Sequence, residues 1–269
     1  LFTKLKEGIM VKLLLNLYLW LMFMIVTVLA LALFPLFLII YSCLLRRPLD
    51  SAIRVGIVVY GWVLVRMVPF FAPVCIESRT EKMTQPAIVV ANHNSAVDPY
   101  LFGAFLIDAC FITTWPFKIP VYGSFMRLAK YINADNGWEE VSRKCTESLR
   151  KGTSVIIWPE GHRSRDGRLG RFKNGAFAIA VETGFPLQPV CIIGSRKLLP
   201  PGKSIVSPSR IRLVLLDPVY PEKGNGKEEE IIRLRNEVKQ VIERTLQEYE
   251  AHDFHEESRM KWNERGLKC

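Results

Sequence analysis

Residues 86–98 read PAIVVANHNSAVD, a short apolar run followed at once by a polar segment. A run of four to eight apolar residues that is rich in β-branched side chains is typical of a buried strand. In α/β folds the functional loops follow the carboxyl ends of such strands. We therefore predict a buried strand at 86–91 and a functional loop at 92–98.

Further β-rich runs follow along the chain and alternate with stretches of helical periodicity. A chain that alternates strands and helices builds a sheet covered by helices. The sequence thus predicts an α/β domain with a central mixed or parallel sheet flanked by helices. Besides 86–91, the predicted strands are 110–114, 153–158, 187–193 and 211–216, and the predicted helices are 138–150 and 228–250. The last helix is amphipathic, which favours packing on the domain, with membrane contact as the alternative.

The first 77 residues are apolar with scattered basic residues, and residues 13–45 contain no charge. About 20 apolar residues cross a bilayer core. A second apolar block, residues 55–76, is interrupted by Arg66 and two prolines. Arginine is costly inside a membrane, so this block is predicted to be interfacial or re-entrant. Basic residues flank the first block on both sides, which favours a membrane-embedded, kinked two-helix element over a simple span.

The net charge is +10 at pH 7. A basic excess of this size suits nucleic acid, anionic substrates or an anionic membrane surface. The long apolar run favours the membrane, where phosphate-bearing head groups account for the basic excess. The sequence has no zinc-finger spacing, RNP motif or basic zipper, so no nucleic-acid partner is predicted.

The polar segment at 92–98 places His93 five positions before Asp98. At this spacing the carboxylate can fold back to one ring nitrogen, which leaves the other nitrogen free to take a proton from a hydroxyl. No catalytic serine or cysteine is needed when the attacking hydroxyl belongs to the substrate. The alternative is that both side chains cap a helix that follows the strand.

A second polar loop, residues 158–165 (WPEGHRSR), also follows a predicted strand. Gly161 permits close backbone approach, and Arg163 and Arg165 carry donors suited to phosphate. The alternative is a solvated basic loop.

Together, in this order, the two loops resemble those of the glycerolipid acyltransferase family, most closely the bacterial 1-acylglycerol-3-phosphate acyltransferases. Residues 172–176 (FKNGA) resemble the segment that follows the second loop in the family, and residues 187–190 (LQPV) resemble its last motif. The likeness covers roughly residues 85–195.

The resemblance implies that His93 is the general base on an acceptor hydroxyl and that Asp98 orients it. The hydroxyl would attack an acyl thioester directly, without an acyl-enzyme intermediate. Arg163 would hold the acceptor's phosphate. The full set of predicted substrate-binding residues is Glu160, Gly161, Arg163, Ser164, Lys118 and Lys173.

The resemblance also implies the partners: membrane lipids, a lysolipid acceptor, and acyl-CoA or acyl-acyl-carrier protein as co-substrate, with no other cofactor and no metal. The predicted segments are membrane-anchoring helices at 1–77, an acyltransferase catalytic domain at 78–250 and a charged tail at 251–269. The predicted location is a membrane, with the catalytic domain on the cytoplasmic side (the inner membrane if the protein is bacterial). The tail residues His252, Asp253, His255 and Glu256 are interpreted as solvated rather than as a metal site.

Two stretches depart from the family pattern. Residues 113–116 (TTWP) replace a lysine-containing stretch, and residues 131–136 (YINADN) lack an arginine that lies near the phosphate in the family. His162 stands where the family has threonine. Either another cation substitutes, with Lys118, Arg127 and Lys130 as the candidates, or the acceptor is another lysolipid such as a lyso-ornithine lipid. Two competing interpretations are a non-catalytic lipid-binding protein on the same fold and a thioesterase that uses water as the acceptor.

Overall fold

The computed structural model describes residues 2–66, 73–224 and 226–257, with side chains for 10–64, 73–224 and 226–250. Helix α1 (Phe2–Ile39) continues through Pro35 and passes into a π-helical turn (Ile40–Leu44). Helix α2 (Leu49–Arg66) follows and packs on α1, where the Phe34 ring lies against Gly56.

The first helix is long and apolar enough to cross a membrane. Its candidate span is Met10–Leu44, and an 18-residue stretch of that span has a mean hydropathy of 2.9 and no buried residue. Exposed leucine, isoleucine, valine and methionine side chains recur along it, which is typical of a surface that faces lipid. Helix α2 differs from α1, because it buries Ala52, Ile53 and Arg54 against the rest of the protein. Helix α1 is therefore exposed along most of its length, whereas α2 packs on the rest of the protein.

Within the described residues the strands form one sheet in the order β1-β7-β6-β2-β5-β3-β4. All pairs are parallel except β6 with β7, so the predicted mixed sheet is confirmed. The strands are β1 (Val74–Ser78), β2 (Ile88–Ala91), β3 (Ala109–Thr113), β4 (Ile132–Asn133), β5 (Ser154–Ile157), β6 (Leu187–Ile193) and β7 (Ile211–Leu215).

Helices flank this sheet, as predicted. They are α3 (Asp98–Leu101), α4 (Tyr122–Leu128), α5 (Trp138–Arg150), α6 (Gly175–Thr183), α7 (Ser195–Leu198) and α8 (Lys227–Glu257), with 3₁₀ turns at Phe102–Phe105, Trp115–Lys118 and Ala134–Asn136. Helix α8 buries Leu234, Val238 and Ile242 completely, so the interpretation of its apolar face as domain-packing is confirmed. The predicted boundary at residue 77 falls inside β1, which pairs with β7.

Asn16 ties the apolar helix to the domain. Its side-chain amide donates to the Val206 carbonyl at 2.9 Å and accepts from the Val206 N–H at 2.7 Å. The segment that carries Val206 also contains Leu199, whose carbonyl accepts a hydrogen bond from the Ser95 hydroxyl at 2.7 Å. Helix α1 is thus linked through the 199–206 segment to the segment that carries His93.

Arg54 ties α2 to the amino ends of β3 and β5. The guanidinium lies 2.5 Å from Asp108 and 3.1 Å from Asp50, and it also donates to the Thr153 hydroxyl and the Ala129 carbonyl. Its side chain is only 6% exposed. Every hydrogen-bonding nitrogen of the guanidinium is therefore engaged in holding the helix in place.

We expect Arg54→Met to lower the free energy of unfolding by about 3 kcal/mol, because it leaves Asp108 without its cation and Asp50 with only the exposed Lys130. This is at the lower end for buried pairs, since Asp108 retains some exposure. The comparison variant Arg143→Met removes an exposed arginine of α5 and should leave stability nearly unchanged. Denaturant titration in detergent micelles measures both, and equal effects would contradict the assignment.

Candidate active site

The segment at the carboxyl end of β2 brings His93 and Asp98 together. Nδ1 of His93 lies 2.8 Å from Oδ2 of Asp98. The same oxygen accepts the N–H groups of Asn94 at 2.7 Å and Ser95 at 2.8 Å. The carboxylate is fully buried. Three donors on one oxygen fix the carboxylate, and the carboxylate in turn fixes the imidazole.

This geometry bears on the helix-capping alternative. Asp98 is the first residue of α3, and no side chain caps that helix at Val97. Its carboxylate instead accepts from residues that precede it in the chain. The Asp98 side chain therefore organises the His93 segment and does not cap the helix.

The His93 ring is held on one face by Trp158, which follows β5. The ring centroids are 4.7 Å apart and the planes are inclined by 26°. Trp158 stacks in turn on Phe111 of β3 at 5.5 Å. His93 is 17% exposed, and its Nε2 has no hydrogen-bond partner within the described part of the chain. One nitrogen is thus oriented by Asp98, and the other is open to a ligand.

Glu160, in the second predicted loop, links that loop to the His93 segment. It is buried, and one carboxylate oxygen accepts the His93 backbone N–H at 2.9 Å while the other accepts the Gly170 N–H at 2.8 Å. Burial raises the pKa of Glu160, although these two N–H donors pull the pKa the other way. Ser164 completes the connection, since its N–H donates to the His93 carbonyl at 2.8 Å. The Glu160 carboxylate therefore positions His93.

We expect Glu160→Gln to lower kcat about tenfold or more, because an amide side chain cannot accept from both N–H groups and one is left unpaired, at about 1–3 kcal/mol. The loss should be the same for acceptors with and without phosphate, as befits a positioning residue. Glu243→Gln, at an exposed site on α8, is the matched control. Steady-state kinetics on both acceptor types checks this, and a loss confined to phosphate acceptors would contradict it.

Of the remaining predicted binding residues, Gly161 and Ser164 shape the loop, whereas Arg163 and Lys173 are exposed cations. Gly161 has φ +76°, and a Cβ there would lie 2.7 Å from Nζ of Lys173, so the lysine lies directly over the glycine. Arg163 is exposed and makes no ion pair with any described residue. Ser164 is buried, and its hydroxyl bonds Asp166 and the Gly167 N–H, which shapes the loop. Arg163, Arg165 and Lys173 are therefore open cations at this loop.

Of the three candidate replacement cations, Lys118 forms an ion pair, and Arg127 and Lys130 lie away from the His93 segment. Lys118 lies 3.3 Å from Asp135. Lys130 lies 3.1 Å from Asp50 of α2, and with Arg127 it lines a cavity beside β4. The structure thus does not bring Arg127 or Lys130 to the His93 segment.

Arg196 of α7 is a site residue that sequence reasoning missed. Its Nη2 donates to the Arg165 carbonyl at 2.9 Å, and its side chain lies against Gly167. Arg196 therefore holds the 158–168 loop in place through one hydrogen bond and one packing contact. Its place shortly after the predicted strand 187–193 was the available signal, because functional groups gather at that edge of an α/β sheet.

A narrow apolar cavity of about 70 Å³ lies next to Trp158, between α2 and the sheet. Its lining includes Ile57, Tyr100, Phe111, Met126 and Tyr131. Such an apolar lining suits part of an aliphatic chain, because the cavity is too small for a whole fatty acyl group.

No group of three or more metal-ligating side chains occurs among the residues that the structure describes. The side chains of His252, Asp253, His255 and Glu256 lie outside the described residues.

A histidine–aspartate pair with one open ring nitrogen lies next to a basic loop and an apolar cavity in this α/β protein, an arrangement suited to general-base chemistry. Residues 74–193 match the family model described as Acyltransferase. Residues 74–193 are therefore similar to the Acyltransferase family, and the resemblance predicted from the sequence is confirmed.

Two similar plant proteins carry the same description. A chloroplastic 1-acyl-sn-glycerol-3-phosphate acyltransferase of Brassica napus, BAT2, is 37% identical over 52% of this chain and 42% of its own length. The Arabidopsis thaliana LPAT1 protein of the same description is 33% identical over 61% of this chain and 48% of its own. This chain thus spans about half the length of these curated relatives.

A solved structure is also similar: the 1-acyl-sn-glycerophosphate acyltransferase PlsC from Thermotoga maritima. It superimposes with a TM-score of 0.73 at 29% identity, over 89% of this chain and 98% of that one.

Proposed function

We propose that this protein transfers a fatty acyl group from acyl-CoA or acyl-acyl-carrier protein to the free hydroxyl of a lysophospholipid. The proposed acceptor is 1-acyl-sn-glycerol-3-phosphate, which gives phosphatidic acid. The observation that carries the proposal is the 2.8 Å contact between His93 Nδ1 and a buried Asp98 carboxylate, which leaves Nε2 open. The names of the relatives support the choice of acceptor.

In the proposed mechanism Nε2 of His93 takes the proton of the acceptor hydroxyl while that oxygen attacks the thioester carbonyl. Asp98 stabilises the imidazolium that forms. The tetrahedral intermediate then expels the thiolate, which leaves as a thiol after His93 returns the proton. The ester bond forms as the thioester bond breaks, and no acyl-enzyme is required.

The surroundings of His93 assign places to both substrates. The apolar cavity beside Trp158 would take part of an aliphatic chain, and Arg163 and Lys173 would face the acceptor's phosphate. The exposed apolar surface of α1 and its link through Val206 would let lipids reach the site from the bilayer. We place the catalytic domain on the cytoplasmic side, because both candidate donors are large and water-soluble.

We expect Arg163→Gln to raise the KM for 1-acyl-sn-glycerol-3-phosphate about tenfold to a hundredfold, since a charged hydrogen bond to phosphate contributes about 1.5–3 kcal/mol. A lysolipid without an anionic phosphate should be affected little. Arg150→Gln, at an exposed position near the end of α5, is the control. An equal loss for both acceptor types would contradict phosphate recognition by Arg163.

A second acceptor class is favoured by a specific observation. Arg127 and Lys130 lie away from the His93 segment, so no substitute for the missing cations comes from α4 or the turn after it. A lysolipid without a phosphomonoester, such as a lyso-ornithine lipid, would need fewer cations.

A panel of lysolipids with and without phosphate, each assayed with acyl-CoA and with acyl-acyl-carrier protein, tests the function. Fastest turnover of 1-acyl-sn-glycerol-3-phosphate supports the proposal, and fastest turnover of a phosphate-free lysolipid would replace it with the second acceptor class. Fatty acid release without an acceptor would instead indicate a thioesterase. No turnover of any pair would indicate a lipid-binding protein.

A further inference from the structure

A polar cavity of about 780 Å³ lies beside edge strand β4, at the amino ends of β3 and β5. We call it the Arg54 cavity. Its charged lining comprises Arg47, Arg54, Arg127, Lys130, Lys144 and Lys151 together with Asp50, Asp108 and Glu147. His93 follows the carboxyl end of β2, which is parallel to β5. The Arg54 cavity lies at the amino ends of β3 and β5, so it is at the other end of the strands from His93. The proposed reaction leaves it unused.

The cations of the Arg54 cavity outnumber its anions by six to three. The three carboxylates are already engaged: Asp50 and Asp108 hold Arg54, and Glu147 lies 2.6 Å from Lys151. Arg47 and Arg127 are exposed and form no ion pair with any residue whose side chain is described. Among the described residues, the Arg127 side chain makes only one hydrogen bond, a long one of 3.4 Å to the Phe117 carbonyl. Two guanidinium groups in the cavity are therefore available to an anion.

Tyr131 supplies a second, independent observation. It lines the Arg54 cavity and is only 5% exposed, yet its buried hydroxyl has no hydrogen-bond partner in the described structure. Burial raises the pKa of this phenol well above its usual value, and Arg54 of the cavity wall acts in the opposite direction. A buried hydroxyl without a partner is costly unless a ligand or water completes it.

The position of the cavity indicates where its occupant comes from. Arg47 and Pro48 belong to the turn that directly follows the exposed, apolar Met10–Leu44 helix. Basic side chains at the end of a lipid-facing helix lie at the depth of the lipid head groups, where each is attracted to anionic lipid. An anion held by Arg47 would therefore lie among the head groups.

We propose that the Arg54 cavity binds the anionic, phosphate-bearing head group of a membrane lipid. Arg47 and Arg127 contact the phosphate, the Tyr131 hydroxyl donates to the head group, and Arg54 with its carboxylates forms the fixed wall. A guanidinium presents paired donors that match phosphate oxygens. This site is separate from the acceptor site beside Arg163.

Native mass spectrometry of the full chain in detergent, titrated with phosphatidylglycerol, tests the proposal. This lipid is neither substrate nor product of the proposed reaction. Combined Arg47→Gln and Arg127→Gln should weaken its binding about tenfold or more. The control combines Lys223→Gln with Arg244→Gln, two exposed cations outside the cavity, and should bind like the unsubstituted protein.

Equal binding by the Arg47/Arg127 variant and the control would overturn the proposal. A photoreactive phosphatidylglycerol should label segments 44–54 and 127–151, and labelling confined to the His93 segment would also overturn it. Inorganic phosphate at the same concentration should not displace phosphatidylglycerol. If it does, the ligand of the cavity is free phosphate and the lipid proposal is overturned. Binding is measured in the His93→Ala protein as well, where it should be unchanged whether or not the protein proves to be an acyltransferase.

Discussion

Replacing His93 by alanine is expected to lower the rate of acyl transfer by about 10² to 10⁴-fold, the usual contribution of a positioned general base. The imidazole is the group that would take the acceptor's proton, and Nε2 is its open nitrogen. The stacked Trp158 and the buried Asp98 remain in place, so folding should be retained. Steady-state turnover of 1-acyl-sn-glycerol-3-phosphate measures the effect.

The control for this variant is His162→Ala. His162 is exposed in the neighbouring loop and makes no hydrogen bond to a described residue. Its loss should leave kcat within a few-fold of the original value. Circular dichroism and vesicle flotation should show both variants folded and membrane-bound. A His93→Ala protein that keeps its activity would contradict the assignment of the base.

Asp98→Asn is expected to lower kcat by about 10²- to 10⁴-fold and by no more than the loss of His93 itself, because the carboxylate acts through that histidine. One oxygen of Asp98 accepts from His93, Asn94 and Ser95 together. An amide places either a nitrogen or a less basic oxygen at that point, so the histidine loses its orienting charge. The imidazolium formed during the reaction is then no longer stabilised.

Asp217→Asn, at an exposed position after β7, is the comparison variant and should keep full kcat. The variants are compared by kcat with saturating acceptor, because Asp98 touches neither substrate in the proposed mechanism. A loss of less than tenfold in Asp98→Asn would contradict its role as the orienting carboxylate.

The pairing of His93 with Asp98 could be predicted because it depends on local spacing after a strong strand signal. The role of Glu160 could not, because its partners are backbone N–H groups on two separate loops. The stacking of Trp158 on His93 likewise depends on β5 lying next to β2. Contacts of this kind require the strand order, which no single segment of sequence contains.

The elements that sequence reasoning missed have physical reasons of their own. Strand β1 alternates exposed with half-buried residues and follows an apolar block, so it lacked a strand signal. Strand β4 has only two residues. Arg127 and Lys130 lie close in sequence to the family's phosphate region, but α4 carries them back to the amino ends of the strands. Proximity in sequence was therefore a poor guide to proximity in space for those two cations.

The most direct measurement follows the fate of a labelled acyl group. The full chain is incubated with a labelled acyl thioester and 1-acyl-sn-glycerol-3-phosphate, and the label is located by mass spectrometry. The proposed mechanism predicts the label in phosphatidic acid, with one thiol released per ester formed and no label on the protein at any time. Label accumulating on the protein, or only in free fatty acid, would contradict direct transfer by His93 to a lipid hydroxyl.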